Sequence, residues 1–570
     1  MERFTQEAFD EHSRRNPLLV LDDVLTRHVH QSPSPILFAY PRADRQGSGS
    51  DYYETFTAAQ LDGYVDAVVR HLVQSGHEPD KMGIKEVTNG RACEQKLGRV
   101  VGMLGNPNLD WVVHLFALSR LGYCVVMMSL RQKAVGLASL LGSARGDAVV
   151  YDEATPDTAD LVQGIVALQP STSTIPFVPR SVYTAAAAVR DTTIPKPPRF
   201  FFPRKEQTGT TAVIFSTSGS TGLPKPIPYR HDHMALSLFT TTLPLSSLLS
   251  WPFYHGWGLG VLLGTMHAGK TCYAMDTRPE LTPGALIEAL EAARPEFLPA
   301  PPYNVGLIAQ TPRGLACLRA AEYVTTSGAR LPDELGKYLV EHGVNISTSL
   351  GSSEATRNFA TSMWRPRGDP EWDYVEIPPV LRPQILLDPV PGNAPLHEIV
   401  FLHSFPGLSV NNDAEDGGLF RTGDMMRPHE DPRRDTWKFA CREGDFTALS
   451  TGMKVLGVPF EERLRASPLV EEAVVVGVGR TVPGLLLVPA TREEEEEGEG
   501  DGERLVERVW PLVEEANGVV PGHAEISRDM VRVLPRTARL PRTDKGSVMR
   551  QRVYTEFASE IEGLYAEKKG

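Results

Sequence analysis

The stretch Thr211 to Lys225, TAVIFSTSGSTGLPK, runs from an apolar segment into a loop of serine, threonine and glycine that ends in a lysine. Glycines let the backbone bend and approach a ligand closely, and hydroxyls and free N–H groups then surround phosphate oxygens. Lys225 adds a mobile positive charge for the outer phosphates. A flexible surface linker has the same composition. A Walker A loop is a different pattern, because its lysine follows glycine and precedes Ser/Thr, whereas Lys225 follows Leu223-Pro224 and precedes Pro226. His231-Asp232-His233 offers metal-ligand types, but no acidic or cysteine cluster accompanies it. The apolar run Met234 to Phe239 that follows makes a helix start the simpler reading.

These groups need a scaffold, and the hydrophobic periodicity supplies one. Thr57 to Gly76 places Leu61, Tyr64, Val65, Val68 and Leu72 on one face, with Thr57 as N-cap and Gly76 as stop, which predicts an amphipathic helix. β-rich runs recur at Tyr123–Met127, Thr211–Phe215, Glu398–Leu402, Ala473–Val476 and Leu485–Val488. Helices alternating with strands over such a length predict α/β layers. A domain boundary is expected near Cys441 to Asp445, after the Pro/Arg/Asp-rich stretch Arg427 to Arg434. The following residues carry strands of their own, a helix around Leu505 to Ala516, and a last helix over Tyr554 to Tyr565.

The chain has 570 residues, 71 Asp+Glu against 58 Lys+Arg, and a formal net charge of −13. Much of the excess lies between Glu493 and Glu503, which holds eight carboxylates and no base and reads as a solvated loop. Elsewhere the charges nearly balance, so no global basic field exists to hold nucleic acid or an anionic membrane. Five scattered cysteines form no ligand spacing, which suits a reducing compartment. The amino terminus has no apolar core of a signal, and no run reaches the ~18 apolar residues of a membrane span. A cytoplasmic protein is expected.

TSGSTGLPK resembles the signature of the adenylate-forming superfamily: acyl-CoA synthetases, luciferases and nonribosomal-peptide adenylation domains. Further motifs follow in that family's order: SGARLP (Ser327 to Pro332), LGSSE (Leu350 to Glu354), FRTGD (Phe420 to Asp424), CREGD (Cys441 to Asp445), STGMKV (Ser450 to Val455) and LPRTDKG (Leu540 to Gly546). PKPI at Pro224 to Ile227, DKGSVMRQ at Asp544 to Gln551 and EIEGLY at Glu560 to Tyr565 resemble the adenylation domains of fungal NRPS-like carboxylic acid reductases. The resemblance implies a large, multi-layer N-terminal α/β domain over residues 1–443, with parallel-rich sheets and a small β-barrel-like subdomain. A small, mobile α+β C-terminal domain would occupy 444–570.

The implied reaction joins a carboxylate to AMP, using ATP and Mg²⁺ and releasing pyrophosphate. By resemblance, Thr217, Ser218, Gly219, Ser220, Thr221, Gly222 and Lys225 hold the triphosphate, Ser353 contacts the nucleotide, and Glu354 binds Mg²⁺. Alone, Glu354 would read as a helix-capping carboxylate. Asp424 is the implied acceptor of both ribose hydroxyls, otherwise a turn aspartate, and Arg442 the implied arginine on the nucleotide. Most of the superfamily carries its catalytic lysine directly after glycine; here Ser547 stands there and Lys545 precedes the glycine, so Lys545 is assigned to stabilise charge at the α-phosphate. Gly452 and Lys454 belong to the surface for the second, thioester-forming step. Gly444, where the family usually has Asp or Lys, is the expected hinge for rotation of the small domain.

Amino-acid-activating relatives pair the substrate ammonium with an Asp, but the corresponding stretch Pro252 to Gly260, PFYHGWGLG, contains no acid. A non-amino carboxylic acid is therefore expected, in an aromatic or apolar pocket built from Phe253, Tyr254, His255 and Trp257. Tyr303, Ser327, Gly328, Ala329 and Gly351 are further pocket candidates by family position. Leu350 stands where many relatives stack an aromatic on adenine, and Pro226 replaces a common glycine. The acceptor expected is a phosphopantetheine thiol on a carrier domain; free CoA and a noncatalytic nucleotide-binding module are the alternatives. No GGDS-like carrier serine and no GxGxxG reductase loop occurs, so the expectation is an excised adenylation domain or one that acts on a carrier in trans.

Overall fold

The computed structural model describes residues 7, 11, 20–31, 34–43, 51–78, 85–88, 94–97, 99–188, 196, 207–218, 223–241, 243–277, 281–355, 357–390, 395–409, 419–451, 453–490, 501–542 and 548–566. The chain divides into two compact units. The first comprises residues 1–386, 400–422 and 429–437, and the second 387–399, 423–428 and 438–570.

In the first unit, the predicted helix forms over Ala58–Gln74 with the Thr57 side chain as its cap, and Gln60 reaches back to complete a capping box. A six-stranded sheet runs in the order Pro224–Arg230, Thr211–Ser218, Cys124–Met127, Val100–Leu104, Ala148–Tyr151, Ser173–Pro176. All its pairings are parallel except the first, an antiparallel hairpin. A second, mixed sheet places Ile346–Ser352, Tyr323–Thr326, Phe297–Ala300 and Ser247–Leu249 side by side as parallel neighbours.

Strand alternation sorts side chains into layers. Val101, Met103, Val125 and Met127 share one core with Leu37, Phe38 and the helices Leu109–Arg120 and Gly256–His267. Val100, Leu104, Cys124 and Val126 face a separate core with Leu137, Leu140 and Leu141. Helices thus lie between the two sheets and on the outer face of the first, and a third core of Leu286, Leu290, Val305 and Leu339 covers the other face of the second.

The second unit builds its core on a three-stranded sheet, Val470–Val476, Gly484–Pro489 and Val531–Val533, against the helices Val458–Arg465 and Asp501–Asn517. Two sequence expectations change here. The terminal helix is two pieces, Arg550–Glu556 and Ala558–Ala566, because Phe557 leaves helical geometry at φ −114° and ψ 30°. The acidic run is not all loop: Asp501 and Glu503 belong to the helix Asp501–Asn517; residues 493–500 lie outside the described part. No helix among the described residues is long and apolar enough to cross a membrane.

Candidate active site

In the first unit, four separate stretches of sequence meet at one edge. The aromatic segment Trp251 to Trp257 follows the strand Ser247–Leu249, and Tyr303 follows Phe297–Ala300. Ser327-Gly328-Ala329 follow Tyr323–Thr326, and Gly351 to Glu354 close Ile346–Ser352. These four strands are adjacent and parallel, so the four stretches leave their carboxyl ends together. Ligands of open α/β sheets bind outside the carboxyl ends of strands.

The individual residues differ in character. Ser327 is buried, and Gly328 has φ 79°, a left-handed turn that suits glycine. Asn304 donates from Nδ2 to the buried Ser250 hydroxyl at 3.0 Å, which ties the loop before Trp251 to the helix that begins at Pro302. Tyr303 itself is 65% exposed. Phe253 is not a pocket wall: it is 1% exposed and packs edge-on against Phe38 and Trp111, with ring centroids 6.1 and 5.4 Å away. Tyr254 is also buried in that core. His255 and Trp257 remain partly exposed, both set against the Trp251 ring at 6.0 and 5.3 Å. Trp251, missed in the sequence, therefore organises this segment.

Thr211–Ser218 and Pro224–Arg230, the strands on either side of the phosphate-loop stretch, form an antiparallel hairpin. Lys225 pairs with Thr217 across it, and Pro224 with Ser218. Directly opposed residues on antiparallel strands point to one face, so the exposed Lys225 and the half-buried Thr217 are neighbours. Gly219, Ser220, Thr221 and Gly222 lie outside the described residues. His231 accepts at Nδ1 from the Leu21 N–H at 3.0 Å, and Asp232 pairs with Arg230. Both begin the helix His231–Thr241, in agreement with the helix-start reading.

Glu354 is half-buried in the turn after its strand. Its Oε2 accepts from the Ser352 hydroxyl at 2.8 Å, and its carbonyl accepts from the Ser409 N–H at 2.7 Å. A single hard carboxylate fits Mg²⁺, which takes one or two carboxylates together with substrate phosphates. Among the described residues no group of three or more His, Cys, Asp or Glu could cage a metal alone.

The second unit gathers a different set. Asp424 and Arg442 form an ion pair, Oδ1 to Nε 3.0 Å, with the aspartate largely buried and the arginine exposed. The Arg442 N–H donates to Asp445 Oδ2 at 2.7 Å. Gly423, at φ 70°, donates its N–H to Glu398 Oε1 at 3.1 Å. Lys454 is exposed, 3.6 Å from Glu443 and above the Phe446 ring. Gly444 sits in the short turn Glu443–Asp445 with open space around its α-carbon and no positive φ, so this conformation does not itself demand glycine. Gly452 and Lys545 lie outside the described residues.

Adenylate-forming reductase stbB of Stachybotrys bisbyi is 26% identical over 482 residues, 82% of this chain and 42% of that protein. A carboxylic acid reductase of Neurospora crassa is 24% identical over 82% of this chain and 44% of its own length. The chain thus spans less than half the length of these relatives. Among solved structures, the adenylation domain of a carboxylate reductase from Mycobacterium chelonae superposes with a TM-score of 0.69 at 16% identity, covering 98% of this chain and 93% of that one. Anthranilate CoA ligase AuaEII in complex with anthranoyl-AMP gives 0.70 at 17%, covering 95% and 98%. The model for AMP-binding enzymes matches residues 91–389, just over half of the chain, and that for their C-terminal domain matches 444–569. The chain is a member of the AMP-binding enzyme family.

Proposed function

We propose that the chain adenylates a carboxylic acid without an α-amino group and passes the acyl group to a phosphopantetheine thiol on a carrier domain. A carboxylate oxygen attacks the α-phosphorus of ATP, the bond to the bridging oxygen of the β-phosphate breaks, and pyrophosphate leaves. The thiolate then attacks the acyl carbon and expels AMP. The observation that carries the reading is the convergence of four motif-bearing stretches at the carboxyl ends of four adjacent parallel strands.

In this reading Lys225 and Thr217, opposed across their hairpin, hold outer phosphates, and Ser353 contacts the nucleotide. Glu354 would hold Mg²⁺, which when bound neutralises phosphate charge. Asp424 accepts the ribose hydroxyls, with Arg442 paired to its carboxylate. Lys545 stabilises charge on the α-phosphate during transfer. His255, Trp257, Tyr303, Ser327, Gly328, Ala329 and Gly351 border the acid, and Gly452 and Lys454 serve the thioester step. Residues 1–443 form the large domain and 444–570 the small mobile one, turning at Gly444, in the cytoplasm.

Acid-dependent ATP–pyrophosphate exchange tests this, with benzoic, phenylpropanoid, aliphatic and amino acids as a panel. Exchange with a non-amino acid that Lys545→Ala abolishes is the expected result. No exchange with any acid would leave a noncatalytic nucleotide-binding module. Acyl transfer to free CoA in preference to a carrier protein would replace the second half of the proposal by an acyl-CoA ligase.

A further inference from the structure

Ser250 follows directly on the strand Ser247–Leu249, and Asn304 lies in the first turn of the helix Pro302–Ala309, which follows the neighbouring parallel strand Phe297–Ala300. Ser250, Trp251 and Asn304 are 5%, 6% and 4% exposed. Their hydrogen bonding is incomplete. The Asn304 carboxamide and the Ser250 hydroxyl share one bond, 3.0 Å from Nδ2 to Oγ. Among the described residues no donor reaches Asn304 Oδ1, no acceptor takes the Ser250 proton, and the buried Trp251 Nε1–H has no partner. Turning the carboxamide over only exchanges which half of it is left, since Ser250 then donates to Oδ1 and the two N–H groups are unused. Hydroxyls within the strands of the same sheet behave differently: Ser247 closes on Thr265 at 2.8 Å and Ser349 on Thr361 at 2.9 Å. Buried polar groups are rarely left unpaired, so three on bonded or adjacent residues at the ends of two strands call for an occupant.

We propose that Ser250, Trp251 and Asn304 are specificity-determining residues that recognise a hydroxyl group on the acid. The inference rests on the adenylation reading and deepens it, because it narrows the substrate to a hydroxylated carboxylic acid. His255 and Trp257 pack on the Trp251 ring at 6.0 and 5.3 Å, and Tyr303 directly precedes Asn304. The three polar groups therefore belong to the same two stretches as residues proposed to border the acid. A hydroxyl both donates and accepts. Its proton meets Asn304 Oδ1 while its lone pairs take the Ser250 or Trp251 hydrogen. An ammonium only donates and would oppose the Trp251 N–H, and a bare ring or alkyl chain would leave all three groups unpaired. A few convergent polar groups in an otherwise apolar pocket fix a ligand's orientation in this way.

The test uses the full chain and ATP–pyrophosphate exchange with acids in pairs that differ by one hydroxyl: benzoic and the monohydroxybenzoic acids, cinnamic and para-hydroxycinnamic, hexanoic and its terminally hydroxylated form. In the best pair, wild type should favour the hydroxylated member by at least about tenfold in kcat/KM, because a site that bonds a hydroxyl is left with unpaired buried groups by the analogue that lacks it. Asn304→Leu and Ser250→Ala should each cut that preference at least about threefold, while kcat/KM for the unsubstituted acid stays within about threefold of wild type. Melting temperatures are recorded beside these rates. A purely structural role lowers both members of a pair alike, and that result overturns the inference. If Asn304→Leu does not fold, Ser250→Ala, which removes a single oxygen, carries the test. Exchange by wild type with no preference for the hydroxylated member means that the three groups hold only a buried water; it overturns this inference and leaves adenylation standing. No exchange with any acid overturns both.

Discussion

His114 lies in the middle of the helix Leu109–Arg120 with no exposure, its ring stacked on Phe177 at 4.1 Å. Its Nδ1 donates to the Asp110 carbonyl at 2.6 Å, and its Nε2 accepts from the Val178 N–H at 2.8 Å. A backbone N–H can only donate, so Nε2 must stay unprotonated; adding a proton there would set two donors against each other. Burial, outweighing the Asp110 carbonyl, lowers the imidazole pKa from 6.5 to about 4. The sign follows. Between those values the unfolded chain binds a proton that the folded chain refuses, so the stabilisation is complete above about 6.5 and lost as pH falls toward 4. A shift of this size is worth up to about 3 kcal/mol, at a slope of at most about 1.4 kcal/mol per pH unit. Urea unfolding followed at several pH values between 4 and 7 measures it, with His114→Gln as reference. Gln can donate and accept as neutral imidazole does but does not titrate, so its curve should be flatter by up to that slope. Parallel curves for the two proteins would refute the reasoning.

Other substitutions probe the two units separately. Glu461, 3% exposed, accepts two hydrogen bonds from Arg550 at 2.7 and 2.8 Å and one from the Val475 N–H at 2.9 Å; Arg550→Met should cost the second unit about 3–5 kcal/mol in chemical denaturation by leaving that carboxylate buried and unpaired. Burial works to raise the Glu461 pKa, but Arg550 holds it below the ordinary value, so the pair's contribution should persist at neutral pH and fade only in acid below that range. Arg120, whose side chain has no exposure, meets Asp22, Asp62 and Asp66 at 2.9, 2.8 and 2.5 Å; Arg120→Met should lower the melting temperature severely, and Arg120→Lys should rescue little because an ammonium cannot span three carboxylates as a guanidinium does. Gly444→Pro should leave pyrophosphate exchange near wild type while slowing thioester formation at least tenfold, and normal rates in both steps would remove Gly444 as the hinge.

The parts legible in the sequence were those with local causes. Thr57 and Gln60 sit three residues apart and cap their helix wherever the rest of the chain goes. The β-run ahead of the phosphate loop likewise forms its strand. Phe253 misled because a ring in an acid-free, aromatic-rich segment looks the same whether it lines a pocket or fills a core; only Phe38 and Trp111, distant in sequence, decide. The break at Phe557 was hidden by the regular spacing of Phe557, Ile561 and Leu564, which a pair of short helices satisfies as well as one.

The four stretches at the strand ends have a consequence for how such a site could be altered. Each leaves a different strand, and the strands are joined to one another through backbone bonds and buried hydroxyl pairs such as Thr325 with Ser347 at 2.8 Å. The sheet therefore fixes where each stretch begins without fixing what it contains. If these stretches border the acid as proposed, a change of acid could be reached by replacing one stretch at a time, as exchangeable fittings on a rigid frame, with the Lys225 hairpin on the other sheet left untouched.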